Sequence, residues 1–264
     1  MTIGDYPLPV ARLLGLGREP ALRRVWPNYL HLGLRAQHVA ALIEMATDGA
    51  LLRAEERDPA AWAPLHAWRA LGQLEAAQAV APLYALLEAW PGDQAMMSEI
   101  PVALGMIGPP ALPQATLWLF DETRSEPLRV AAGQVLARTG YHHPDRRDEA
   151  AGVLEQQLRD WEIQSPDLNA FLIDNLLDLG AVEAAPVMEA AYAAGRVTLW
   201  VNGDWEDAQI DLGLLEERIT APPEDASDPY APGLARVPRA NAAASAKSRR
   251  KASKAARKRN RKRR

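Results

Sequence analysis

The sequence predicts an all-α protein in the form of an α-solenoid, a stack of antiparallel helix pairs. Three observations lead to this prediction. A short phrase recurs along the chain, apolar residues follow the spacing of one helix face, and no segment alternates with the period of two that is typical of a strand. The phrase reads ALGQLE at 70–75, ALGMIG at 103–108, VLARTG at 135–140 and, more loosely, NLLDLG at 175–180.

The copies of this phrase are separated by about the length of one helix pair. Aligned on their leucine, they place Leu71, Leu104, Leu136 and Leu176 at separations of 33, 32 and 40 residues. Repeats of this length typically contain two helices and their turns. The spacing therefore predicts successive helix pairs that each contribute the same leucine to the core.

Apolar stripes predict the individual helices in chain order, because residues at i, i+3, i+4 and i+7 share one helix face. Four groups with this spacing are Val80, Leu83, Tyr84 and Leu87; Ile100, Ala103, Leu104 and Ile107; Leu112, Ala115, Thr116 and Leu119; and Ala184, Val187, Met188 and Ala191. A fifth group, one turn longer, is Leu168, Phe171, Leu172 and Leu179. Gly108, Gly140 and Gly180 are predicted to end the first helix of their pairs, since glycine adopts the left-handed conformation at little cost.

The pattern L-G-x-[LI]-G, with RVAAGQVL at 129–136, resembles the HEAT-like repeats first described in phycobilisome lyases. The body of the chain, roughly residues 8–215, resembles a bacterial HEAT-repeat family without an assigned activity. Phrases that carry this resemblance are WPNYLHLGL at 26–34, HVAALIEMATD at 38–48, WAPLHAWRALGQL at 62–74 and GDWEDAQIDLGL at 203–214. Stacked helix pairs leave a long concave face as the expected binding surface. The resemblance implies no reaction, because such folds host scaffolds, adaptors and enzymes alike.

Charge divides the chain into a body and a tail. Residues 1–228 hold 34 acids against 16 arginines, a balance of −18, whereas residues 229–264 hold 14 bases and no acid, which together give the net charge of −4. All five lysines lie at position 247 or later. We therefore predict a HEAT-like α-solenoid over residues 1–218, a Pro/Ala-rich flexible linker over 219–246 and a disordered Lys/Arg-rich tail over 247–264.

The tail is the candidate nucleic-acid-binding site, because clustered cations displace counterions from phosphates. Its twelve cations are Lys247, Arg249, Arg250, Lys251, Lys254, Arg257, Lys258, Arg259, Arg261, Lys262, Arg263 and Arg264. The tail has no aromatic residue that would stack on bases, so we expect phosphate contacts without base recognition. The alternatives are a solvated tail, contact with the acidic body or an acidic protein, and anionic lipid, which is the weakest because no apolar anchor accompanies the cations.

No pattern of residues points to catalysis, so we assign no catalytic, cofactor-binding or metal-ligating residue and expect no cofactor. The chain contains no cysteine, which excludes disulfides, thiolate metal sites and cysteine nucleophiles. Among the five histidines, His142 and His143 precede Pro144 and are predicted to lie on a loop between helices rather than at a metal site. His38 and His66 are predicted to be packed or hydrogen-bonded locally.

The acidic segment GDWEDAQIDLGL at 203–214 is predicted to begin a helix rather than to form a catalytic cluster. Asp204 suits the N-cap, and Asp207, three residues later, is placed to complete a capping box. Trp205 is predicted to anchor this last helix. The chain has eight tryptophans, of which most are predicted to fill the core and helix junctions, with Trp90 and Trp161 as candidates for exposed interface anchors.

These features predict a non-catalytic scaffold or adaptor that binds a protein partner through the solenoid and RNA or DNA through the tail. The acidic body favours a partner with a basic patch, although its acids can equally be a solvated surface. A purely structural interaction protein is a third reading. The segment MTIGDYPLPVARLLGLG lacks the basic start and continuous apolar run of a signal peptide, and no run is long enough to span a membrane, so we expect a cytoplasmic protein without membrane contact.

The alternative prediction is an enzyme or enzyme accessory of the HEAT-repeat lyase or hydroxylase kind, acting on a prosthetic group or a protein substrate. One such family, the deoxyhypusine hydroxylases, holds two irons with repeated His-Glu dipeptides. This chain contains no His-Glu dipeptide, which argues against that activity.

Overall fold

A computed structural model describes residues 6–18 and 26–223 of the chain. This part is all-helical and has no β-strand, which confirms the prediction of an all-α protein. The chain divides into two compact units, Met1–Ala150 and Ala151–Arg264. The predicted linker is described only as far as residue 223, and the predicted tail, 247–264, lies outside the described residues.

The first unit contains six complete α-helices: α1 Val39–Thr47, α2 Ala63–Gln73, α3 Val80–Ala89, α4 Gln94–Ile107, α5 Leu112–Phe120 and α6 Glu126–His142. The boundary between the units falls within α7, Arg147–Leu158. The second unit contains α8 Pro166–Asp178, α9 Ala185–Ala193, α10 Leu199–Asn202 and α11 Trp205–Leu212. Short 3-10 helices precede several of these helices, and two more, Val10–Gly15 and Tyr29–Leu32, lie before α1.

Three helices of the first unit form a row, and each has a further helix packed on it. In this row α2 packs on α4 and α4 on α6, and the helices α1, α3 and α5 pack on α2, α4 and α6 respectively. The repeated leucines Leu71, Leu104 and Leu136 are buried at equivalent places in this row, and Leu176 is buried in α8 of the second unit. The repeated phrase therefore marks one core position of alternate helices.

Small residues set the close spacing within this row. A Cβ atom placed on Gly72 of α2 would lie 3.0 Å from the Cα of Ala103 on α4, and one on Gly105 of α4 would lie 2.2 Å from the Cβ of Arg138 on α6. Each glycine directly follows a repeated leucine. The leucine fills the core, and the glycine beside it lets the next helix approach.

The predicted helix ends are confirmed at two of three glycines. Gly108 has φ +86° and ends α4, and Gly180 has φ +59° just beyond α8. The prediction for Gly140 is wrong, because α6 continues through it to His142. The helix stops instead at His143, which precedes Pro144 and is therefore pushed out of the helical region, with φ −121° and ψ 84°.

Candidate functional site

The predicted nucleic-acid-binding residues, from Lys247 to Arg264, all lie outside the described residues. Within the described residues, the repeat positions beside the buried leucines form the candidate binding surface. They stand two residues before and two residues after each leucine, and they share one face because they are one turn apart. We call this set the flanking stripe: Arg69 and Gln73 on α2, Val102 and Met106 on α4, and Gln134 and Arg138 on α6.

On α2 the stripe residue Arg69 is buried and Gln73 is partly exposed. All four stripe residues of α4 and α6 are partly exposed, whereas every residue of α2 from Ala63 to Gly72 is buried. The cover is a segment of the chain that precedes α1. The guanidinium carbon of Arg18 lies 5.3 Å from the ring centre of Trp62, which immediately precedes α2. The guanidinium carbon of Arg69 lies 5.3 Å from the ring centre of Trp26.

The side chain of Gln73 holds this segment by its backbone. The amide nitrogen of Gln73 donates to the carbonyl of Pro27 at 2.8 Å, and its oxygen accepts from the N–H of Tyr29 at 2.9 Å. The residue between them, Asn28, is extended, with φ −81° and ψ 96°. In a parallel sheet, one residue bonds the carbonyl of residue i and the N–H of residue i+2 on the neighbouring strand. Pro27 and Tyr29 stand in this relation. Gln73 thus bonds the backbone on both sides of one extended residue, Asn28, which caps the 3-10 helix Tyr29–Leu32.

Below the backbone contact, Tyr29 and His66 form a buried hydrogen-bonded chain. The Tyr29 hydroxyl lies 2.8 Å from Nδ1 of His66, and Nε2 of His66 lies 2.8 Å from the carbonyl oxygen of Gly17. Because a carbonyl can only accept, Nε2 donates to Gly17, and in the neutral ring Nδ1 accepts from the Tyr29 hydroxyl. His66 is therefore packed, as predicted, but its partners are distant in sequence; His38, in contrast, bonds locally to the backbone N–H of Arg35.

A buried ion pair joins the covered stripe to α4. Arg69 donates from Nε and Nη2 to the two carboxylate oxygens of Glu99, at 2.8 and 2.6 Å, and both side chains are almost completely buried. Burial opposes the charge on Arg69, but the contacts with Glu99 and Tyr29 raise its pKa. Sequence reasoning missed this pair. Its only signal was an arginine and a glutamate within otherwise apolar helical runs, AWRALG and SEIPVAL.

In the second unit, the acidic start of α11 forms the predicted capping box. The N–H of Asp207 donates to Asp204, and the N–H of Asp204 donates to Asp207, both at 3.2 Å. Arg218 then bonds both carboxylates, at 2.6 Å to Asp204 and 2.7 Å to Asp207. Burial alone would raise the pKa of Asp204, but the bonds from Arg218 and from the helix N–H groups lower it. These contacts fix the start of α11 and tie it to Arg218.

Aromatic residues in the second unit are used for packing. As predicted, Trp205 anchors α11, since its ring lies 5.9 Å from that of Tyr192 on α9. Among the eight tryptophans of the chain, only Trp68 and Trp118 are fully buried, while the other six are partly exposed. Trp90 and Trp161 are thus partly exposed, but so are Trp26 and Trp200.

The paired histidines lie at the end of α6. His142 is the last residue of the helix, and His143 follows it with Nε2 donating to the carbonyl of Met106 at 2.9 Å. Desolvation lowers the pKa of His142, and the nearby charge of Arg138 lowers it further. Within residues 6–18 and 26–223, no group of three or more His, Asp or Glu side chains is arranged to hold a metal ion.

Negative charge is concentrated in residues 151–223, the described part of the second unit. Residues 151–223 contain 14 acids and 3 arginines, a balance of −11, whereas the described residues of the first unit contain 15 acids and 11 arginines, a balance of −4. All three arginines have partners within this unit: Arg159 bonds Glu155, Arg196 bonds the carbonyl of Gln164, and Arg218 bonds the α11 cap. On α8, the positions equivalent to the flanking stripe hold Asp174 and Asp178, both partly exposed.

Comparisons of the chain with protein-family models, with curated proteins and with solved structures find no significant match in any of the three. Among the helices of the described residues, none combines the length and apolar character needed to cross a membrane.

Proposed function

We propose that the chain is a non-catalytic scaffold or adaptor whose helix pairs stack as an α-solenoid of HEAT-like repeats. Its solenoid surface binds a protein partner, and its basic tail binds RNA or DNA. One observation carries the protein-binding part of this proposal. The flanking stripe repeats on alternate helices, and on α2 its residue Gln73 already bonds the backbone on both sides of the extended residue Asn28.

The charge distribution supports a partner with a basic patch. Complementary potentials steer association and select partners. Residues 151–223 carry a net charge of −11, and the three arginines among them are already bound to acceptors within this range. A basic surface on the partner therefore meets acids that these arginines leave uncompensated.

The tail supports nucleic acid as the second partner. It places twelve cations within eighteen residues, and its five lysines fall within an arc of about 80° if the segment is drawn as a helix at 100° per residue. If about eight cations contact phosphates, the logarithm of affinity falls with the logarithm of salt concentration at a slope near −7 for duplex DNA. We expect this binding to show little sequence preference.

The test compares the full chain with a variant lacking residues 240–264, each used in affinity capture with and without nuclease. We expect partners that depend on the tail to disappear after either treatment and protein partners of the solenoid to persist through both. Capture that yields no nuclease-resistant protein would refute the protein-binding function. Unchanged affinity of the deletion variant for a fluorescent DNA duplex, measured by salt titration, would refute the role of the tail.

A further inference from the structure

His66 is a completely buried titratable side chain that joins α2 to parts of the chain far from it in sequence. Its two ring nitrogens contact Gly17, 49 residues earlier, and Tyr29, 37 residues earlier. Both contacts are 2.8 Å long, and both partners precede α1. One imidazole ring therefore fastens the segment before α1 to α2 at two points.

The donors and acceptors around this ring give the hydrogen-bonded chain a direction. Nε2 of His66 must donate, because the carbonyl of Gly17 has no proton to offer. On the other side, the Tyr29 hydroxyl interacts with Arg69, and a guanidinium only donates. The Tyr29 oxygen therefore faces a donor at Arg69, and its own proton is left for Nδ1 of His66. The neutral imidazole fits this arrangement.

A second proton on His66 conflicts with the same arrangement. Nδ1 would become a donor, so the Tyr29 oxygen would face donors from both His66 and Arg69, and the hydroxyl proton would lose its acceptor. Two cations would then flank one hydroxyl, and all three side chains are buried, which disfavours the charged imidazole further. The latched geometry and the protonated ring therefore oppose each other.

The other titratable groups near α2 are engaged elsewhere or exposed. Besides Tyr29, the described elements that pack on α2 carry Arg12, His31, Glu44 and Glu99. The first three are exposed, and the carboxylate of Glu99 is bound to Arg69. At the ends of these elements, bonds to Tyr6 or to nearby backbone N–H groups engage His38, Asp48, Asp58 and Asp93. Among the described groups, Tyr29 and Arg69 are therefore the ones that His66 meets.

We propose that His66 is an acid-sensitive latch, which holds Gly17 and Tyr29 on α2 while neutral and releases them when it takes up a proton. Release also frees Gln73, whose side chain bonds the backbone on both sides of Asn28, and so uncovers the α2 part of the flanking stripe. The released state binds a proton that the latched state excludes. The latch is therefore stable above about pH 6.5, the ordinary imidazole midpoint, and weakens as the pH falls below it.

Hydrogen exchange of the full-length protein, followed by mass spectrometry at pH 7.0 and 5.5 and corrected for the intrinsic exchange rates, tests the latch. We expect the protection of the peptide that contains Tyr29, whose N–H donates to Gln73, to fall by about tenfold at the lower pH. The protection of α4 should stay unchanged. Equal corrected protection of the Tyr29 peptide at both pH values would overturn the inference, and so would an equal loss in α4, which indicates global unfolding.

Two variants locate the titrating group. His66→Gln keeps an amide donor for Gly17 and an acceptor for Tyr29 but cannot be protonated, so its corrected protection should no longer depend on pH in this range. The matched control is His31→Gln, an exposed histidine that bonds Asn28 in the same segment, and it should keep the tenfold loss of the parent. A tenfold loss that persists in His66→Gln would contradict the latch.

A measurement on the parent protein does not depend on the folding of any variant. In an NMR titration of the histidine rings, His66 should remain neutral in the latched state at pH values at which the exposed His31 is half protonated. Protonation of His66 together with His31, while the Tyr29 N–H stays protected, would show that the charged ring is compatible with the closed segment and would overturn the inference.

Discussion

Removal of the Glu99 carboxylate should strongly destabilise the first unit. Glu99→Ala deletes two charge-assisted hydrogen bonds, of 2.8 and 2.6 Å, and leaves the completely buried guanidinium of Arg69 without its counter-ion. Breaking one side of a buried pair costs about 3–5 kcal/mol, because the remaining charge has lost its hydration and has no compensation. In a unit of this size that loss lowers the melting temperature by about 10 °C. Urea unfolding of the full chain, followed by circular dichroism, measures the free energy directly.

The double variant Arg69→Met with Glu99→Leu tests the physical reason for this loss. With both charges gone, no desolvated ion remains, and replacement by apolar side chains should cost little or even stabilise the unit. The matched control is Glu55→Ala, which breaks an ion pair with Arg57 whose side chains are 69% and 85% exposed. It should change the free energy of unfolding by less than about 1 kcal/mol. A cost for Glu99→Ala as small as that of the control would refute the reasoning.

Two further predictions concern helix spacing and acid stability. Gly105→Ala should destabilise the protein by about 1–3 kcal/mol, because the new Cβ would overlap Arg138 on the neighbouring helix α6. Gly152→Ala on α7 places its Cβ in open space and should be neutral or stabilising. Equal melting temperatures of the two variants would contradict this prediction. The pKa values of Asp204 and Glu206 are lowered in the folded state, so their stabilisation is present above about pH 4 and is lost as the pH falls. Melting between pH 3 and 7 should show this loss in the parent and a flatter profile in Arg218→Ala, and parallel profiles would contradict it.

The helices and their repeat could be predicted because they follow from local pattern. The leucine of each phrase recurs at a fixed spacing, and Leu71, Leu104 and Leu136 are buried in successive helices of one row. The capping box at Asp204 and Asp207 was equally predictable, since both partners lie within one turn of the chain. Gly140 shows the limit of such signals: a glycine permits a helix end, but the proline four residues later decides where the helix stops.

The candidate site could not be predicted in this way because its contacts join segments that are distant in sequence. Gln73 bonds backbone atoms 44 and 46 residues away, and Arg69 meets Glu99 at a separation of 30 residues. A charged residue within an apolar helix signals that some partner exists without identifying it. Only the packing of α2 on α4, and of the preceding segment on α2, brings these groups together.

The burial of α2 from Ala63 to Gly72 limits how this protein can change length during evolution. The segment that precedes α1 contacts α2, and α1 and α4 pack on it as well, so residues 63–72 leave little free surface on which an added helix pair would dock. A duplicated pair inserted ahead of α1 would find that end of the row closed. We therefore expect the chain to gain helix pairs only by insertion after α2. Each added pair would contribute another core leucine, another glycine and another partly exposed stripe.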